Sequence, residues 1–136
     1  MVNTKVKFID SKLNVIGDIY MKTLYCDYLV PKSKPTPTGE YWGVLSVTNH
    51  DKNIDQIVII YIMEYETGKD LKKHTFKLPA KGSILFSNVD EPFKGIIGRT
   101  RLYVECPTTV TATIGNTKGN ISAISWERMI ELPFPK

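Results

Sequence analysis

Cysteine is scarce in this chain, with two residues among 136, and so is arginine. Cys26 and Cys106 cannot form the multi-bridge framework of a small secreted scaffold, and the chain is long enough to build a core without staples. Two reduced, buried thiols are therefore expected. Of the 18 basic residues only Arg99, Arg101 and Arg128 are arginine, and the net charge is +4. Proteins that grip duplex nucleic acid concentrate arginine because its planar fork matches phosphates and guanine edges, so nucleic acid is not an expected partner. Long hydrophobic runs are also missing. The longest is Ile57 to Met63, far short of the ~20 residues a membrane-spanning helix needs. From Met1 to Tyr25 the charges Lys5, Lys7, Asp10, Lys12, Asp18 and Lys22 interrupt any apolar centre of a secretory signal. The expectation is a cytoplasmic protein with no membrane insertion.

Helical spacing of apolar residues is absent as well, whereas alternation with a period of two recurs along the whole chain. Val6 and Phe8 alternate with lysines, and Leu13 with Val15 begin a return, which predicts an N-terminal hairpin over 5–18. Ile19 to Val30 reads as a strand. Pro31, Pro35 and Pro37 then remove ladder donors from an extended surface loop over 31–39. Glu40 to Asn49, Gln56 to Thr67 and Leu71 to Leu78 follow as three strands that read as a meander, separated by Asn49-His50-Asp51-Lys52-Asn53 and Thr67-Gly68-Lys69. Further strands are expected at Ser83 to Ser87, Gly98 to Glu105, Thr108 to Ile114 and Asn120 to Ile130, with Asn88 to Ile97 a loop and Gly115 to Gly119 a turn. Eight or nine short strands with no crossover helices predict one all-β domain over 1–136, an antiparallel β-sandwich of the jelly-roll or immunoglobulin-like kind.

Catalytic and cofactor chemistry finds little to build on. His50 lies in a turn and His74 within a strand, no Gly-x-Ser-x-Gly elbow occurs, and no close pair of Cys or His has metal-ligand spacing. Neither a catalytic residue, a metal nor a cofactor is expected. Glu64 and Glu66 resemble the paired carboxylates of glycoside hydrolysis, but two glutamates at the end of a strand are explained by solvation alone. Gly115-Asn116-Thr117-Lys118-Gly119 has the wrong order for a phosphate-binding loop. Lys69, Lys73 and Lys77 share one face of the strand beginning near Leu71 and are candidate anion contacts, or else guards against sheet-to-sheet pairing. Tyr25, Tyr28, Tyr41, Trp42, Tyr103 and Trp126 are candidates for a sugar-stacking platform, with Tyr41 and Trp42 the leading ligand or glycan contacts; core packing is the competing reading.

The anomaly is the strand Gln56 to Glu66. Ile57, Ile59, Tyr61, Met63 and Tyr65 take one face and Val58, Ile60 and Ile62 the other, so neither face is polar. An antiparallel sheet normally shows water one polar face. At ~1.5 to 3 kcal/mol per large apolar side chain, covering Val58, Ile60 and Ile62 would contribute about 5 to 9 kcal/mol. The N-terminal hairpin of the same chain and an identical surface on another subunit are the two candidate covers, and the second is the expectation, which makes these three the homo-oligomer interface.

Several segments between Tyr41 and Ser125 fall in the order seen in the bacterial sensory rhodopsin transducer-like proteins. They are Val47-Thr48-Asn49 ahead of a polar turn, Ile59-Ile60-Tyr61, Leu78-Pro79-Ala80, Ser87-Asn88-Val89, and Cys106-Pro107 before Thr109 to Ala112. On these the chain resembles that family of small sandwiches that bind rather than catalyse. The family's His-Glu has no counterpart around Thr38-Gly39-Glu40, and its Arg-Leu-Asp is replaced by Ile114-Gly115-Asn116, so no functional residue is carried over. The resemblance implies a cytoplasmic, oligomeric sandwich. The expected function is a non-enzymatic binding protein that self-associates, in signalling, and takes a protein, small-molecule or glycan ligand. A carbohydrate-binding module is the alternative.

Overall fold

A computed structural model describes residues 4–9, 15–30, 41–88, 90–118 and 125–133. They form an all-β sandwich of ten strand segments: β1 (Thr4–Ile9), β2 (Val15–Val30), β3 (Tyr41–Asn49), β4 (Gln56–Glu64), β5 (Asp70–Leu78), β6 (Ser83–Ser87), β7 (Gly98–Pro107), β8 (Val110–Lys118), β9 (Ser125–Arg128) and the two-residue β10 (Ile130–Glu131). The larger sheet runs β1-β2-β7-β4-β5, with β10 beside β2, and the smaller runs β6-β3-β8-β9; every pairing is antiparallel. β1 folds back on β2 with Thr4 opposite Met21 and Phe8 opposite Gly17. The proline-rich loop expected over 31–39 lies outside the described residues.

Two local expectations change. β3, β4 and β5 are not a meander, because β3 belongs to the smaller sheet and β4 and β5 to the larger. The cause is Asn49, which is buried at the end of β3 with 1% exposure. Its side-chain amide stands 3.0 Å from the Ile54 carbonyl and 3.2 Å from those of Leu78 and Pro79, and its Oδ1 accepts from the Asp51 N–H at 3.0 Å. A polar turn so anchored carries the chain across the sandwich, and it ties in the β5–β6 crossing as well. Nor do Gly115 to Lys118 form a turn: they extend β8, because β3 reaches back to Tyr41, which lies opposite Lys118.

The core lies between the sheets, where alternate residues of both point inward. Val58, Ile60 and Ile62 of β4 and Leu102 and Val104 of β7 meet Leu45 and Val47 of β3 and Val110 of β8, all fully buried. Tyr28 reaches across from β2, and Gly43 of β3 makes room for it: a Cβ there would stand 2.5 Å from the Tyr28 hydroxyl and 2.6 Å from its ring. Phe93, in the loop before β7, fills the remaining end of this layer at 0% exposure, edge-on to Tyr28 with ring centroids 5.0 Å apart.

Candidate functional site

Val58, Ile60 and Ile62 are not the oligomer interface. Each has 0% exposure within the single chain, and the surface that seals them is the smaller sheet of the same molecule. The sequence correctly marks β4 as apolar on both sides, but the uncovered side is the other one. Outward from the larger sheet point Ile57, which is 42% exposed, and the half-buried Ile59, Tyr61, Met63 and Tyr65.

The registers arrange this outer face into rows. Tyr25 of β2 lies opposite Tyr103 of β7, which lies opposite Tyr61 of β4, which lies opposite Lys73 of β5. The Tyr25 and Tyr103 rings are 5.0 Å apart and tilted by 47°, and the Lys73 ammonium sits 5.7 Å from the Tyr61 ring centre. One row along come Asp27, Arg101 and Met63, and beyond it Leu29 opposite Arg99. The Arg99 guanidinium stacks on the Tyr65 ring at 3.6 Å and meets Asp27 at 3.5 Å, while Arg101 Nε donates to the Tyr65 carbonyl at 3.0 Å. Such stacking suits arginine, whose flat, weakly hydrated group rests on aromatic faces. Burial, and then a hydrogen bond donated by its hydroxyl to Asp27, push the Tyr25 phenol above its usual range. Burial and then Glu105 do the same to Tyr61. Tyr25 and Tyr61 are thereby kept as neutral donors at physiological pH. The face therefore combines an apolar stripe on β4, a tyrosine row across it and charges of both signs around it.

The other candidates disperse. A bulge between Ile62 and Met63 shifts the register of β5, so Asp70 rather than Leu71 lies opposite Met63 and Lys69 falls in the preceding turn. Lys73 and Lys77 do point outward, but Lys77 meets Asp55 at 3.5 Å, so the three lysines do not converge on one anion. Glu64, the last residue of β4, accepts from the Thr67 hydroxyl at 2.9 Å, which ties its carboxylate to the turn that follows. Tyr41 and Trp42 occupy the start of β3, and their side chains lie outside the described residues. Of the remaining candidate aromatics, Tyr28 is core, Trp126 is 49% exposed on the smaller sheet, and Tyr25 and Tyr103 come together. Tyr61, Tyr65 and Arg101 were missed by sequence reasoning, although the alternation of β4 already set both tyrosines on one face.

The cysteines are free; Cys26 and Cys106 lie four positions apart along the paired β2 and β7, Cys26 opposite Leu102 and Cys106 opposite Lys22. Burial pushes each thiol up to about 12. Among the described residues no three His, Cys, Asp or Glu side chains gather as a metal site requires, and no helix is long and apolar enough to cross a membrane.

No family model and no curated protein matches the chain. One solved structure does. The fold is similar to that of Thermotoga maritima 1070, with a TM-score of 0.57 over 82% of this chain and 91% of that one, at 13% identity. At that identity the likeness supports the sandwich architecture alone.

Proposed function

We propose that the protein is a non-enzymatic binding module that self-associates through the outer face of its larger sheet. The observation that carries this reading is the run Ile57, Ile59, Tyr61, Met63 and Tyr65, which gives a central strand no polar side toward water. The charges around it favour a second copy of the chain over a partner of one sign. Asp27 and Glu105 stand among Arg99, Arg101 and Lys73, so a two-fold contact sets acids of one copy against bases of the other. Two such apolar stripes would cover each other as the smaller sheet covers the inner face. A role in signalling rests on the family resemblance and is part of the same proposal.

Ile59→Lys tests it. The substitution puts a charge in the middle of the stripe without touching the core, so light scattering should show wild type as a dimer or larger and the variant at the mass of one chain. Wild type at monomer mass at tens of micromolar, or a variant with unchanged mass, would overturn the reading. Ile60→Lys is unsuitable, since it places a charge in the core and unfolds the chain rather than splitting an assembly.

The row Tyr25, Tyr103 and Tyr61 supports carbohydrate binding as a second reading, because neighbouring phenols on one sheet face can stack on successive sugar rings. The 47° tilt between Tyr25 and Tyr103 offers edges more than one flat shelf. A glycan array with Tyr61→Ala decides it: a signal lost on substitution supports this reading, and silence across the array rejects it.

A further inference from the structure

An opening lies where the chain passes from one sheet to the other. β9 follows β8 as far as Arg128 opposite Thr113. At Met129 the chain leaves the smaller sheet, and Ile130 joins β2 opposite Tyr25. Val110 to Ala112 thus have no β9 residue opposite them, and a cleft of about 420 Å³ opens between this stretch and Lys22 to Leu24 of β2. That volume falls within the range of small-molecule sites.

The cleft has an apolar floor and a rim of one sign. Leu24, Ala112 and Met129 are buried beneath it. Around it stand Lys22, His50 and Arg128 with Thr111 and Thr113, and among the described residues neither Asp nor Glu lines it. Lys22 Nζ donates one hydrogen bond to the Thr108 carbonyl at 3.3 Å and keeps donors to spare. His50 Nε2 and the Thr111 hydroxyl share a hydrogen bond at 2.8 Å, which holds both at the mouth. Arg128 differs from the described cations that are held in ion pairs. Arg99 meets Asp27, Lys72 meets Glu91 and Lys77 meets Asp55, whereas Arg128 has no carboxylate partner among the described residues.

We propose that this corner cleft binds a small phosphate monoester. Lys22, Arg128 and the His50–Thr111 pair hold the phosphate, and the body of the ester rests on Leu24, Ala112 and Met129. Donors arriving from β2, from β9 and from the end of β3 with β8 surround a tetrahedral group with three terminal oxygens better than a flat carboxylate with two, and the guanidinium fork matches two phosphate oxygens at once. The cleft is on the rim between the sheets, away from the outer face of the larger one, so it does not depend on self-association.

The test is an amide NMR titration of the full chain with phenyl phosphate, alongside inorganic phosphate, benzoate and phenol. Phenyl phosphate should give saturable shifts at Thr111, Thr113 and Met129, and inorganic phosphate weaker ones at the same amides. Arg128→Gln and Lys22→Gln should each weaken binding about tenfold, as loss of one charge-assisted hydrogen bond implies, with the rest of the spectrum preserved. Lys77→Gln should change nothing. No saturable shift, or shifts spread over the surface lysines and equal in all variants, would overturn the proposal. So would benzoate or phenol binding at these amides as strongly as phenyl phosphate.

Discussion

The two faces of β4 are nearly equal in composition and opposite in circumstance. Inward, Val58, Ile60 and Ile62 are sealed by a second sheet at 0% exposure. Outward, Ile57, Ile59 and Met63 stand among tyrosines and arginines that cover them only in part. Hydrophobicity alone does not say which side of a strand is the core. That is decided by what the neighbouring strands put beside it: Leu102 and Val104 of β7 on the inner side, Arg101, Tyr103 and Glu105 on the outer.

The comparison can be broken most sharply at Ile60. Ile60→Ala should lower unfolding stability by about 2 to 5 kcal/mol in chemical denaturation, because the closely packed layer cannot collapse around the missing atoms. A loss below 1 kcal/mol would mean that the inner face is no more closely packed than the outer. Gly43→Ala probes the same layer from the opposite sheet. With the Tyr28 ring in the way, its added methyl should cost about 1 to 3 kcal/mol and shift the near-ultraviolet signal of the buried tyrosine.

The inward thiols sharpen the contrast through pH. Both are raised by burial from 9.0 to about 12. The folded state keeps them protonated where the unfolded chain has lost its protons, so stability is full below about pH 9 and falls as pH rises toward 12. Melting curves across that window should slope downward, and Cys106→Ala should flatten the slope. An equal slope in the variant would count against a buried thiol. The smallest effect belongs to the outer face. Ile59→Ala should change the stability of the single chain by less than about 1 kcal/mol, measured at a concentration low enough to dissociate any assembly. A larger loss would show that the outer face is already packed within the monomer.

Much of the fold was legible in the sequence because period-two alternation and turn chemistry are local. The strand cores and the sandwich class follow from them. Sheet membership does not, since whether β3 pairs with β4 or crosses away from it depends on an amide, Asn49, whose acceptors lie as far off as Leu78 and Pro79. Phe93 was hidden for a related reason: a loop residue carries no alternation to reveal that it plugs the core. The outer face was half legible. The alternation of β4 set Tyr61 and Tyr65 on one side, but their neighbours Tyr103 and Arg101 come from a strand some forty positions later in the chain, beside β4 only through a pairing that no local pattern encodes. The corner cleft was not legible at all, because it exists only where one strand stops following another.

The anchoring at Asn49 reaches beyond its own turn. The Asn49 N–H donates to the Gly82 carbonyl at 2.8 Å and the His50 N–H to the Thr109 carbonyl at 2.9 Å, so the passages from β3 to β4, from β5 to β6 and from β7 to β8 are riveted together at one pole. Opening any one of these passages breaks bonds held by the others, so the amide protons of Asn49, His50 and Lys81 should exchange with solvent more slowly than those of the isolated turn at Gly68.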